Sequence, residues 1–111
     1  MTSNLKEWLA LNGYSQDNLN SVGKYGNSAI MKASREANLS IVDELISLNV
    51  DLNVKNIDGN SALWNACFGD SYACFEALVS AGINIDSQNV NNVTSLMYCA
   101  SAGKDIFVEL L

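Results

Sequence analysis

Apolar residues along this chain recur in blocks with a period of 33 residues. Ser28-Ala29-Ile30-Met31, Ser61-Ala62-Leu63-Trp64 and Thr94-Ser95-Leu96-Met97 stand in register, with Gly26, Gly59 and Asn92 two positions ahead. A hydroxyl directly before an apolar segment accepts from the free N–H groups of a first helical turn, so a helix is predicted after Ser28, Ser61 and Thr94. Each carries a pair of small residues, Ala33-Ser34, Ala66-Cys67 and Cys99-Ala100, which suit close approach of neighbouring helices. A break follows at Ala37-Asn38, Asp70-Ser71 and Gly103-Lys104, with Asn38 and Ser71 as caps of a second helix. Ile41-Val42 with Leu45-Ile46, and Cys74-Phe75 with Leu78-Val79, give that helix one apolar stripe; Phe107-Val108 begins a third. Asn49 and Gly82 are the residue types that end a helix in the left-handed conformation. Val50, Leu52, Ile83 and Ile85 then alternate with polar residues, which predicts short extended segments. Turns are expected at Asp58-Gly59 and Asn91-Asn92.

The pattern changes at both ends. Leu5, Trp8, Leu9 and Gly13 read as the second helix of a preceding unit, with Asn4 and Glu7 spaced as a capping box. The connection from Tyr14 to Lys24 is longer than the repeat requires, and Ser15-Gln16-Asp17 is expected to start another helical turn ending near Gly23. Lys6, Glu7, Asn12 and Asn18 supply the polar outer face of a terminal cap. At the other end the third unit halts midway through its second helix. Phe107, Val108 and Leu111 are then expected to lack cover, each forfeiting roughly 1.5–3 kcal/mol if left wet. The expectation is a piece of a longer solenoid, or self-association through this end. The chain accordingly divides into a capping half-repeat and linker (1–25), repeats at 26–58 and 59–91, and a partial repeat at 92–111.

This arrangement resembles the ankyrin repeat, a 33-residue unit of helix, turn, helix and β-hairpin loop. The likeness runs from Gly26 to Leu111. The family's Thr-Pro-Leu-His signature is degenerate here: Ser28, Ser61 or Thr94 at Thr, Ala29, Ala62 or Ser95 at Pro, Ile30, Leu63 or Leu96 at Leu, and Met31, Trp64 or Met97 at His. The resemblance implies a predominantly α solenoid of stacked helix-turn-helix units joined by short β-hairpin loops. It also implies loss of the hydrogen bonds that the family's His commonly makes to the loops.

The chain's 111 residues are 49% hydrophobic and 16% charged, and no window approaches the roughly 18 apolar residues of a spanning helix. The start lacks the form of a secretory signal, so a cytoplasmic location is expected, or export without a cleavable signal. A net charge of −6 disfavours nucleic acid and anionic membrane as partners. The sequence contains no histidine and no proline, which removes the commonest general base and metal ligand. Cys67, Cys74 and Cys99 have no metal-ligand spacing and read as small buried hydrophobes in a reducing compartment. No catalytic residue, cofactor or metal is expected, and a periodic stack offers no deep pocket.

The function this implies is non-catalytic binding of a partner protein, through the groove and hairpin tips that ankyrin relatives use. The matching hairpin positions are Lys24, Tyr25 and Asn27, then Ile57, Asp58 and Asn60, then Val90, Asn91 and Val93. The matching helix positions are Arg35 and Glu36, then Phe68, then Ser101. Tyr25, Arg35 and Phe68 are types enriched at binding hot spots, whereas Ile57 and Val90 can equally pack between hairpins. Trp64 and Tyr98 lie at the edge between core and groove, with Trp64 assigned to the core. The alternative is a regulatory or targeting segment of a larger protein such as an enzyme or secreted effector. Asp43-Glu44 reads as solvated surface, and Asn38-Leu39-Ser40 and Asn92-Val93-Thr94 as unmodified sequons. Asn53 occupies a position that some ankyrin relatives hydroxylate.

Overall fold

The structure, a computed structural model, describes residues 1–110. Its helices are α1 (Ser3–Leu11), α2 (Ala29–Arg35), α3 (Leu39–Ser47), α4 (Ala62–Phe68), α5 (Tyr72–Ser80), α6 (Ser95–Ser101) and α7 (Asp105–Leu110), with one 3₁₀ turn at Lys24–Gly26. The first helices stack as α2 on α4 on α6, and the second as α1 on α3 on α5 on α7. Stacking in one direction gives a long body, 37 × 25 × 21 Å. The small pairs account for the closeness: Ala33, Ser34, Ala66, Cys67 and Cys99 are all buried. Packing of α1 on α3 shows that α1 is a second-type helix, covering the first repeat with Leu5 and Leu9.

Backbone termination follows the sequence pattern. Ala37, Asp70 and Gly103, at equivalent positions, take φ of 59, 57 and 72°, and Asn49 and Gly82 take 61 and 90°. Asn38 Oδ1 accepts from the Ile41 amide and Ser71 Oγ from the Cys74 amide, each at 3.3 Å. The first-helix caps behave unequally. Thr94 Oγ1 accepts from the Met97 amide at 3.1 Å, but neither Ser28 nor Ser61 makes a side-chain cap bond. Ser28 Oγ is buried without a partner. Met31, at the His position of that unit, has no donor to offer it.

Five expectations need correction. The cap of α1 is Thr2, whose Oγ1 accepts from the Leu5 amide at 3.1 Å, and not Asn4. No helix forms after Ser15, because its hydroxyl accepts from the Asp17 and Asn18 amides and holds a local turn instead. No strand forms at Val50–Leu52 or Ile83–Ile85. Asp51 Oδ1 accepts from the Asn53 amide and Asn84 Oδ1 from the Asp86 amide, so each segment is an Asx turn. Among the described residues, β pairing is limited to isolated bridges, Val22 with Ser28 and Gln88 with Thr94.

The fourth correction is at the end of the stack. Phe107 is only 3% exposed, because α7 lays it edge-on against Phe75 and Tyr72 of α5, with ring centroids 5.1 and 5.9 Å away. Val108 is half-buried and Leu111 lies outside the described residues. Among the described residues, the exposed apolar side chains at this end are Leu96, Met97 and Ile106; Met97 is 52% exposed where its equivalent Met31 is 1%.

Cys67 and Cys99 differ from the expectation of three separate thiols. Both are buried, on α4 and α6, but their sulfurs are joined as a disulfide. Their Cα atoms are 6.4 Å apart, within the span that such a bond bridges. Cys74 is free and buried, and burial, aided by the Asp43 charge, pushes its thiol up despite a hydrogen bond from Ser71.

Candidate functional site

Three hairpins stand side by side along one edge of the stack, each closed by an equivalent backbone bond. Gly23 N donates to Asn27 O, Asn56 N to Asn60 O and Asn89 N to Val93 O, at 2.9, 3.0 and 3.0 Å. Neighbouring tips are tied by Ile57 N to Tyr25 O at 2.9 Å and Val90 N to Asp58 O at 3.0 Å. Beneath them runs an asparagine ladder. Asn56 Oδ1 accepts from the Asp58 and Asn60 amides while its Nδ2 donates to Asn27 Oδ1 at 2.9 Å. Asn89 does the same one unit on, for the Asn91 and Val93 amides and Asn60 Oδ1, the latter at 3.1 Å. A second ladder joins the loops behind, where Asn20 Oδ1 accepts from the Asp51 amide and Asn53 Oδ1 from the Asn84 amide. The abundance of asparagine thus has a structural account: one side chain supplies donor and acceptor where hairpins must be pinned to each other.

This ladder sorts the predicted contact positions. Asn60 is buried, 7% exposed, and its side-chain oxygen accepts from Asn89, so it pins the hairpin row rather than projecting from it. Asn27 and Val93 are half-buried at hairpin ends. Asp58, Asn91 and Tyr25 are exposed at the tips, and Ile57 and Val90 project 70% and 65% exposed. Packing between hairpins does not account for those two side chains.

On the helix face beside the tips, Trp64 and Phe68 of α4 stack at 5.2 Å between centroids, and Tyr98 of α6 lies 5.0 Å from Trp64. Trp64 and Tyr98 are half-buried and Phe68 is exposed, so Trp64 belongs to this surface cluster as well as to the core edge. Arg35 sits with Cζ 4.2 Å from the Phe68 ring centroid, a cation–π distance. Lys104, which the sequence reading passed over, holds the cluster's base. Its Nζ donates to Cys67 O at 2.6 Å and Phe68 O at 3.3 Å and pairs with Asp70 at 2.9 Å, capping the carbonyl end of α4. The signal for it was a lone cation at the break of the third unit, one repeat beyond Asp70-Ser71.

Chemically the face offers aromatic area, two cations over it, Arg35 at Phe68 and Lys104 at Tyr98, and apolar projections from rigid tips. Among the described residues no group of three or more Cys, Asp or Glu is gathered to hold a metal ion. No helix there is long and apolar enough to cross a membrane.

The fold and this face define a helical repeat solenoid with a side-chain-rich edge. A family model described as Ankyrin repeats (3 copies) matches residues 2–89 and again residues 30–111, so the chain belongs to the ankyrin repeat family. Ankyrin repeats are generally protein–protein interaction modules, and domains built from them are typically non-catalytic. No curated protein matches the chain.

Proposed function

We propose that this chain binds a partner protein through the face built by Trp64, Phe68 and Tyr98 and the hairpin tips at Ile57 and Val90. The observation that carries the reading is the exposed aromatic cluster with Arg35 laid on it. A 41%-exposed Phe stacked on a Trp is costly in water and is a residue type and environment typical of binding hot spots. The flanking tips are locked by backbone bonds and asparagine side chains, so little freedom is lost when they are contacted. The partner is read as a folded or extended protein segment, with no reaction catalysed.

The test is capture from lysate by the wild-type chain and by a Phe68→Ala/Ile57→Ala double variant. Both side chains are exposed, so the helical circular dichroism of the variant should match the wild type. A partner held by the wild type should lose about 2 kcal/mol or more of binding free energy to the variant. Equal affinity for both would remove the assignment of the face.

A further inference from the structure

We infer that the cleft between the first hairpin and helices α2 and α4 receives a carboxylate side chain from an acidic segment of a partner protein. The inference rests on the protein-binding reading above and specifies the chemistry of that partner.

The chain has twelve acidic residues and six basic ones, yet three of the six, Lys24, Lys32 and Arg35, line this one cleft of about 330 Å³. None of the twelve acids lines it. Among the described residues, Lys24 and Arg35 have no carboxylate within 4.0 Å. They rest over the rings of Tyr25 and Phe68, at 5.0 and 4.2 Å, which orient the cations without neutralising them. Lys32 is 3.7 Å from Glu36 on the next turn of α2, an exposed pair and therefore a weak competitor.

The floor is polar. Asn65 is buried there, held by its Nδ2 donating to Ser61 O at 2.9 Å. Tyr14 lines the wall and donates to Asn27 O at 3.1 Å. Burial, and then the Glu36 charge, push its phenol up, so it adds no negative charge. Three cations with no acid among them suit an acceptor-only group.

Size and surroundings select a short acidic segment. A long polyanion such as nucleic acid would meet the negative remainder of the molecule, whereas one carboxylate enters the cleft alone. Arg35 belongs to both the cleft and the aromatic face, so a segment lying across Phe68 would bring its acidic residue to Lys24.

The experiment is an amide-resolved NMR titration of the full chain with a terminally blocked hexaglutamate peptide, and with hexaglutamine as the neutral counterpart. Hexaglutamate should shift the amides of residues 24–27 and Arg35, while hexaglutamine should not. Lys24→Glu should weaken binding about tenfold, and Lys55→Glu, which changes net charge identically on another exposed hairpin residue, by less than about twofold. Lys24→Gln serves if the reversal perturbs the helical spectrum. Equal weakening by the Lys24 and Lys55 variants would overturn the site, as diffuse attraction. A response to inorganic phosphate with silence toward hexaglutamate would overturn it in favour of a free anion. A captured partner that tolerates Lys24→Glu but not Phe68→Ala/Ile57→Ala would overturn the cleft and leave the aromatic face standing.

Discussion

A Cβ on Gly59 would stand 2.8 Å from the amide nitrogen of Val90 on the next hairpin, and 3.0 Å from the Cα of Asn89. The Val90 amide donates to Asp58 O at 3.0 Å, so the two hairpins lie backbone on backbone with no room for a side chain. Gly26 repeats the relationship with Ile57 N, at the looser distance of 3.3 Å. Asn92, the third member, takes φ of 60° with no described hairpin stacked on it. Glycine is required where repeats meet, and the left-handed turn alone does not require it.

Gly59→Ala should therefore destabilise more than Gly26→Ala. Each places a side chain at φ near 75°, costing about 1–2 kcal/mol, and the tighter site adds a clash of about 1–3 kcal/mol. Urea unfolding should order the midpoints as wild type, then Gly26→Ala, then Gly59→Ala. Equal midpoints for the two variants would show that hairpin stacking is not what the glycines serve.

The equivalent hydroxyls Ser28 and Thr94 should respond differently to truncation. Thr94→Ala removes a cap bond to the Met97 amide and should cost about 1 kcal/mol. Ser28→Ala removes a buried oxygen that has no partner, and should leave stability unchanged or raise it. Matched chemical denaturation of the two variants checks this, and a larger loss at Ser28 would contradict the assignment of its oxygen as unpartnered.

Which parts were legible follows from how far each interaction reaches along the chain. Helix starts and stops are decided within one turn, so Asn38, Ser71, Asn49 and Gly82 could be placed from their neighbours alone. The Asx turns at Asp51 and Asn84 are equally local, but alternating Val50, Leu52, Ile83 and Ile85 carried a competing strand signal and obscured them. Asn56 meets Asn27 and Asn89 meets Asn60 across 29 residues, outside any local window. Their trace was the 33-residue spacing of the asparagines themselves. Phe107 was misjudged because periodicity assigns a stripe without saying which neighbour it faces, and it turns back onto Phe75. At the candidate face, residue type alone indicated Phe68 and Arg35. The stack that recruits Trp64 and Tyr98 depends on how two repeats abut.

Glu44 should make the attachment of α1 sensitive to acid. Its carboxylate accepts from the Thr2 hydroxyl at 2.5 Å and the Thr2 amide at 2.7 Å, and Thr2 in turn caps α1. The hydroxyl bond, then the backbone bond, hold the Glu44 carboxyl below the usual glutamate range. A lowered folded pKa means a contribution present above the ordinary glutamate pKa and lost as pH falls through the folded one. Carboxyl NMR titration should therefore place Glu44 below an ordinary glutamate. Leu5 amide protection should fall across the same interval, and in Glu44→Gln that acid-dependent fall should be absent. A Glu44 midpoint at the ordinary value would refute the link.

The Cys67–Cys99 bond closes a loop with a sequence separation of 32 and ties the second repeat to the third. Chain-entropy arguments give a bridge over such a loop about 3–4 kcal/mol, chiefly by restricting the unfolded chain. Thiol counting in denaturant without reductant should find one reactive thiol, that of Cys74, and three after reduction. Because α6 and α7 lean on the earlier repeats through this link, Lys104 and Phe107, reduction should lower stability and do so first in the third unit. Hydrogen exchange of reduced protein should show α6 amides losing protection ahead of α4 amides. Three reactive thiols in unreduced protein would show that no covalent bond joins the second and third repeats.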